Sequence, residues 1–282
     1  MNNLVIIARP ITEQADPYLL IDDAGTLDKL SLENGKAITI SVDKAIKYCV
    51  GWYDIESHTN HLCESQAVVD TKYESCFACR KKTDFNPAFY NTSDISAKQA
   101  QYNNAPHSVY VAYFGNGLAK AGIMSDSRGL ERLYEQGALF YSIVASCPNA
   151  ATAHNMENKL IQKGLKNSIT KKQKSDALFK VFDASSEGQI FKSILSDIGY
   201  ADNKSVSNID MFFFGEYPKA SVQEFGDYSI SGQVRGAVGR YLILENNERL
   251  YGYWLTNLCG YKASFSDKID LIQREQQQIS FL

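Results

Sequence analysis

Four of the six cysteines, Cys49, Cys63, Cys76 and Cys79, fall within 31 residues, the last two as Cys76-Phe77-Ala78-Cys79. A Cys-x-x-Cys turn aims two thiolates at one tetrahedral ion, and two further cysteines upstream complete a four-cysteine zinc site. The surrounding stretch is modest in apolar residues and rich in polar turn residues. A bound metal would supply order there that a hydrophobic core cannot. Cys49-Val50-Gly51-Trp52 has the spacing of a second knuckle with Trp52 in place of a ligand. His58 and His61, on the intervening loop, are rival ligands, either able to stand in for Cys63. Two other readings stay open: four reduced cysteines without metal, and a redox pair, although the latter normally opens a helix after a strand. The expectation is a zinc-ribbon-like module with structural Zn2+ on Cys49, Cys63, Cys76 and Cys79.

The length, 282 residues, suits two or three small domains. A hydrophobic share of 44% with 22% charged residues is that of an ordinary folded protein. The net charge of −3 gives no overall pull toward nucleic acid, so such binding would need a local basic patch. No apolar run approaches the ~18 residues of a membrane span. The run Leu4 to Ala8 is short and has no basic residue before it, which argues against a signal peptide. The chain is therefore expected in the cytoplasm, away from membranes, with its thiols reduced and used for metal or packing.

Residues 1–47 read as a β-rich lead-in. LVIIA, YLLID and KAITISV are β-prone runs, and Asn34-Gly35 between two of them is a hairpin signal. Residues 48–105 hold the cysteine module and, around Pro87, Asn91 to Asp94 and Pro106, a surface linker. Residues 106–200 form a core with a basic flank. There a β-rich run with a Gly-containing turn precedes an Arg-bearing helix, a second strand, and a helix with Glu157. From Lys159 to Lys180 seven lysines meet one acid, Asp176, a net of +6. Lys159, Lys163, Lys166, Lys171, Lys172 and Lys174 are the candidates for binding nucleic-acid phosphates, against the plainer reading of a solvated face. Ile190, Phe191, Ile194, Leu195 and Ile198 mark an amphipathic helix ending at Gly199.

Residues 201–282 are again β-like, with glycines at bends, which suggests a small β-barrel or curved sheet before a last helix within 266–282. Its aromatics Tyr228, Tyr241, Tyr251, Tyr253 and Trp254 suit base stacking or simple core packing. The fold class expected is α+β.

The order of features resembles an uncharacterised bacterial and archaeal family, domain of unknown function 2797. The resemblance rests on the cysteine cluster, VYVAYFGNGLAKAGI, RLYEQGA, AHNMENKLI and GQVRGAVGRYLIL with a late GYKASF. It spans most of residues 30–265. Its most specific pieces are Arg132 to Ala138 and Gly239 to Leu244. Family members carry further Cys and His after the Cys-x-x-Cys, where this chain has Phe85, Asn86 and Pro87, so no second metal site is expected.

Residues 109–161 also resemble, more distantly, the GIY-YIG nuclease superfamily. That resemblance implies that Tyr110 on the first strand helps to activate the nucleophile and that Arg132 on the first helix stabilises the transition state. It further implies that Glu157 on a later helix holds a catalytic Mg2+ or Mn2+. Gly122 matches the glycine of the second motif and Lys120 stands where that motif has tyrosine. Gln136 stands where many members have histidine. Arg132 presents a planar fork to phosphate, and Mg2+, which keeps most of its waters, needs only one or two carboxylates. His154, three residues before Glu157, shares its helical face. A purely structural role for Tyr110, with Arg132 paired to Glu157, is the plainer alternative.

The expected function is a divalent-metal nuclease acting on DNA or RNA. The alternative is a non-catalytic, zinc-containing nucleic-acid-binding or scaffold protein with a degenerate core.

Overall fold

The computed structural model describes residues 4–6, 18–85, 95–180, 183–212, 222–225 and 229–271. Along the chain, strands β1 (Leu4–Ile6), β2 (Tyr18–Asp23), β3 (Thr26–Ser31) and β4 (Ala37–Lys47) come first. A hairpin of β5 (Trp52–Asp54) and β6 (Thr59–His61) follows, then helices α1 (Phe77–Thr83) and α2 (Ala97–Asn104). Next are β7 (His107–Tyr113), β8 (Ala119–Ser125), α3 (Glu131–Gln136), β9 (Phe140–Cys147), α4 (Ala150–Gln162), α5 (Lys171–Leu178) and α6 (Ala184–Asp197). The last are β10 (Val206–Ser207), α7 (Ile209–Phe212), β11 (Val222–Phe225), β12 (Ser229–Val238), β13 (Tyr241–Asn246), β14 (Arg249–Trp254) and β15 (Tyr261–Ser266). The chain mixes helices with mainly antiparallel sheets, as expected.

Nine strands pair in the order β11-β14-β13-β12-β4-β15-β1-β2-β3, all antiparallel except β11 with β14. Because β4 lies between β12 and β15, both ends of the chain contribute to one sheet. Leu19, Ile38 and Ile40 from the first strands share a core with Val234, Leu242 and Tyr253 from the last. Burial of such side chains stabilises by roughly 1.5–3 kcal/mol each. That burial fixes a pairing between segments almost the whole chain apart.

This long-range pairing overrides a local signal. Asn34-Gly35 does not close a hairpin, because β3 pairs with β2 and β4 with β12. The Gly35 N–H donates instead to the Val234 carbonyl at 2.8 Å. The tight turn in this region is at Ala24-Gly25, between β2 and β3. The missed strand β3, TLDKLS, is largely exposed and gives little apolar alternation to read.

The linker expected around residues 86–107 contains α2. Ser96 caps it, its side chain accepting from the Gln99 N–H. The part of that linker from 86 to 94 lies outside the described residues, as do Tyr228 and residues 272–282 of the final helix expected over 266–282. The described start of that stretch is not helical, with Ser266 closing β15 and 267–271 irregular. The helix expected near 183–200 is present as α6, with Phe191 and Leu195 buried and Gly199 at a φ of 86° just past its end.

The second sheet has the order β10-β9-β7-β8, with β7 in the middle. Side chains along β7 alternate between two cores. Val109, Val111 and Tyr113 face the core that includes Ala153 and Leu160 of α4 and Phe191 and Leu195 of α6. Tyr110 and Ala112 face the core built with Met124, Leu133 of α3 and Tyr141. Among the described residues no helix is long and apolar enough to cross a membrane.

Candidate functional site

The cysteine module sits just beyond β4. Cys49 follows that strand, Cys63 follows β6, Cys76 precedes α1 and Cys79 lies in its first turn. The four sulfurs all lie within 4.8 Å of one another, a group that can hold a metal ion. A tetrahedral ion with metal–sulfur bonds of ~2.3 Å spaces its sulfurs about 3.8 Å apart, and Cys63 and Cys76 are 4.0 Å apart. The backbone N–H groups of Gly51 and Cys76 donate to Cys49 Sγ at 3.4 and 3.1 Å. Burial raises the Cys63 thiol, but the Ser65 hydroxyl and the Ala67 backbone outweigh it and bring the group to about 6. Burial pushes the Cys79 thiol well up.

The chain leaves Cys49 through Gly51, at a φ of 86°, where a Cβ would stand 1.8 Å from the His61 carbonyl oxygen. No other residue fits that turn. Neither histidine belongs to the cluster. His58 Nδ1 is 3.1 Å from the Tyr53 hydroxyl. The His61 ring stacks on Trp52 at 4.2 Å, and its Nε2 is 3.0 Å from Thr59 Oγ1. The pseudo-knuckle thus leaves Trp52 as a packing surface, and the donor set is four cysteines.

A second concentration of polar chemistry lies in the four-stranded sheet. Tyr110 of β7 is opposite Gly122 of β8. A Cβ on Gly122 would be 2.4 Å from the tyrosine hydroxyl, so only glycine leaves room for the ring. Gln136 Nε2 donates to the Tyr110 hydroxyl at 2.8 Å and also to the Arg132 carbonyl at 3.0 Å. The tyrosine is 1% exposed. Burial raises its pKa beyond what the Gln136 bond and the Arg132 charge counteract, so the hydroxyl stays protonated.

Arg132 projects from α3 with its side chain 42% exposed, 3.7 Å from Glu135. Glu135 is in turn 2.7 Å from Arg128. Lys120 is brought down to about 8 by burial and the Arg132 charge, opposed by Glu157. Glu157 is buried on α4, its carboxylate 3.1 Å from His154 Nδ1. The α4 side chains at Ala153 and Leu160, on the same helical face as Glu157, pack on the face of β7 opposite Tyr110. Arg132 and Glu157 therefore both lie close enough to bear on the charge of Tyr110 and of Lys120, while Tyr110 and Glu157 approach from different faces of the sheet.

The six lysines of the basic flank separate. Lys171 and Lys174 of α5 line a cleft of about 270 Å³ that also takes in Arg132 and Arg240. Lys163 donates to the Ile198 carbonyl at 2.5 Å, at the end of α6. Lys172 lies 3.5 Å from Asp176. Lys159 is exposed, about 200° around α4 from Glu157. The backbone of Lys166 bridges to Lys120 at the edge of β8. Only part of the flank thus faces the cleft.

The cleft also contains residues that the linear sequence did not tie to Arg132. Arg240, Tyr241 and Trp254 reach it from the nine-stranded sheet, and Phe114 from the end of β7. The two halves meet at Gly137 and Gly239, both in the left-handed region. A Cβ on Gly239 would stand 2.7 Å from the Gly137 nitrogen. The two stretches most specific to the sequence family, around Arg132–Ala138 and Gly239–Leu244, are therefore in backbone contact.

No curated protein and no solved structure matches the chain. The family described as protein of unknown function (DUF2797) matches residues 35–252, from the Gly35 turn to within β14. The chain belongs to that family.

Proposed function

We propose that the protein is a divalent-metal-dependent nuclease acting on DNA or RNA phosphodiesters, with a GIY-YIG-like core over residues 106–200 and structural zinc on the four cysteines. The observation that carries the reading is that Arg132 and Glu157 both lie close enough to bear on the charge of Tyr110 and of Lys120, with Arg132 also lining a cleft that holds further cations. Phosphodiester cleavage needs charge neutralised on the phosphate and a proton managed at the attacking or leaving oxygen. Arg132, half-exposed and planar, offers the phosphate two parallel donors. Lys120 adds a second positive charge. Tyr110 remains a neutral hydroxyl whose oxygen accepts from Gln136, so its part is to donate its own O–H as a hydrogen bond toward the attacking water or the phosphate. Glu157, oriented by His154, is the carboxylate that would hold Mg2+ or Mn2+. One carboxylate suits an ion that keeps most of its waters. Such an ion, when bound, stabilises the leaving oxygen.

Cleavage of end-labelled DNA and RNA, with Mg2+ or with EDTA, tests this. Glu157→Ala and Arg132→Ala are each expected to lower the rate by about 10²-fold or more, with zinc content and circular dichroism unchanged. A second reading, a non-catalytic nucleic-acid-binding scaffold, is favoured by the near-complete burial of Tyr110 and by Glu157 lying on the helix of the other face. Salt-dependent binding without cleavage would select it. Absence of binding at low salt would remove both.

A further inference from the structure

The cleft between α3, α5 and the β12–β13 turn is built differently from a solvated basic surface. Arg132, Lys174 and Arg240 come from three separate elements and meet in a space of about 270 Å³. Lys174 is half-buried. Its ammonium donates to the Gln136 carbonyl at 2.6 Å and lies 4.5 Å from the centre of the Phe114 ring. Burial, followed by the charges of Lys120, Arg240 and Arg132, brings it down to about 7. Cations held this close repel one another, and a bound anion relieves that repulsion. Glu135, the acid on the wall, is shared between Arg128 at 2.7 Å and Arg132 at 3.7 Å. Two guanidinium groups with a lysine suit the geometry of a phosphate better than that of a single carboxylate.

The opposite wall is aromatic. Trp254 is half-buried there, backed edge to face at 4.7 Å by Tyr241, which is 2% exposed and part of the core. Lys171 lies 5.3 Å and Arg240 5.8 Å from the centre of the Trp254 ring. An aromatic surface bordered by cations suits a base beside its phosphate. The volume lies just below the roughly 300 Å³ at which pockets for small molecules begin. It admits one nucleotide unit and excludes a duplex.

We propose that this cleft seats one nucleotide of a single strand, its phosphate among Arg132, Lys174 and Arg240 and its base against the exposed part of Trp254. The proposal rests on the nuclease reading only in taking nucleic acid as the ligand, with Arg132 shared between the cleft and the group around Tyr110. The seat thus holds the unit next to the one being cut.

The test uses the full chain with its zinc and no added Mg2+, titrated by calorimetry with adenosine 5′-monophosphate, ribose 5-phosphate, inorganic phosphate and adenosine. The monophosphate is expected to bind about tenfold more tightly than ribose 5-phosphate, and adenosine not measurably. Arg240→Gln should weaken the monophosphate by roughly tenfold or more, and Trp254→Leu should erase its advantage over ribose 5-phosphate. Lys192→Gln, an equal loss of charge at an exposed position on α6, should leave all affinities unchanged. Melting curves identify any variant that fails to fold. Should Arg240→Gln be one, the comparison of the four ligands on the unaltered chain still decides. No binding of the monophosphate, equal binding of monophosphate and ribose 5-phosphate, or an undiminished affinity in a folded Arg240→Gln would overturn the seat. Nucleotide binding of the expected pattern without strand cleavage would leave the seat standing and remove the nuclease reading. Cleavage with nucleotide affinity unchanged across the variants would do the reverse.

Discussion

The cysteine module and the Tyr110 region both gather reactive side chains, but different forces hold them. The buried residues of the module's cluster are Cys49, Cys63 and Cys79, with Trp52, Ala67 and Val69 packed beside them. That apolar surface is too small to fix the loops between short β5, β6 and α1. The proposed metal coordination would supply the order. The Tyr110 region stands on two cores that cover both faces of β7. Its polar groups are held by packing and hydrogen bonds, so they keep their places when one is altered. Ligand chemistry would build the first region, whereas hydrophobic burial builds the second.

The largest effect expected is therefore in the module. Cys79→Ser, or exhaustive chelation, should release bound zinc and expose residues 49–83 to protease, on the ~10 kcal/mol scale of structural zinc sites. The main melting transition, carried by the nine-stranded sheet and the Tyr110 region, should survive. Loss of both together would erase the distinction between the two regions. Next comes the junction, where Gly239→Ala puts a Cβ against backbone atoms of Gln136 and Gly137 in a left-handed conformation. Overpacking and backbone strain there should cost about 2–4 kcal/mol in urea denaturation. Tyr110→Phe removes the bond from Gln136 and should cost only about 1 kcal/mol. A loss several times greater would mean that the hydroxyl is part of the fold's framework.

The smallest effect is in pH. Lys174, brought to about 7, is charged below that pH and neutral above it, so phosphate affinity should fall as pH rises from 7 to 9. Lys120, at about 8, acts in the same direction; Lys171, Arg132, Arg240 and Glu135 are the other charged groups that face the cleft. A decline of roughly threefold to tenfold, clearly reduced in Lys174→Met, is the expected calorimetric result.

The two regions also differ in how far the sequence revealed them. Four cysteines at short spacing announce their own convergence, because one tetrahedral centre collects them whatever the surrounding fold. The choice between Cys63 and the histidines was not legible. It is settled by the stacking of His61 on Trp52 and the contact between His58 and Tyr53, neither of which spacing encodes. Tyr110, Gly122, Arg132 and Glu157 could be picked out by type and order, but not their faces. The strand alternation that assigns them becomes visible only with the register of β7 against β8 and β9. Arg240 lies more than a hundred residues after Arg132, and only the contact between Gly137 and Gly239 joins them. The pairing of β4 with β12 was hidden for the same reason, and the local Asn34-Gly35 signal pointed elsewhere.

The central claim is that Glu157 and its neighbours cut phosphodiesters while the cysteine module only supports them. The most direct measurement is the rate of Mg2+-dependent cleavage of a labelled single strand, taken alongside bound zinc per chain, for the unaltered protein and for Glu157→Gln. The account predicts saturable dependence on Mg2+ and a loss of about 10²-fold or more in the variant, with zinc unchanged. Equal rates in the two proteins, or a loss that tracks zinc, would contradict it.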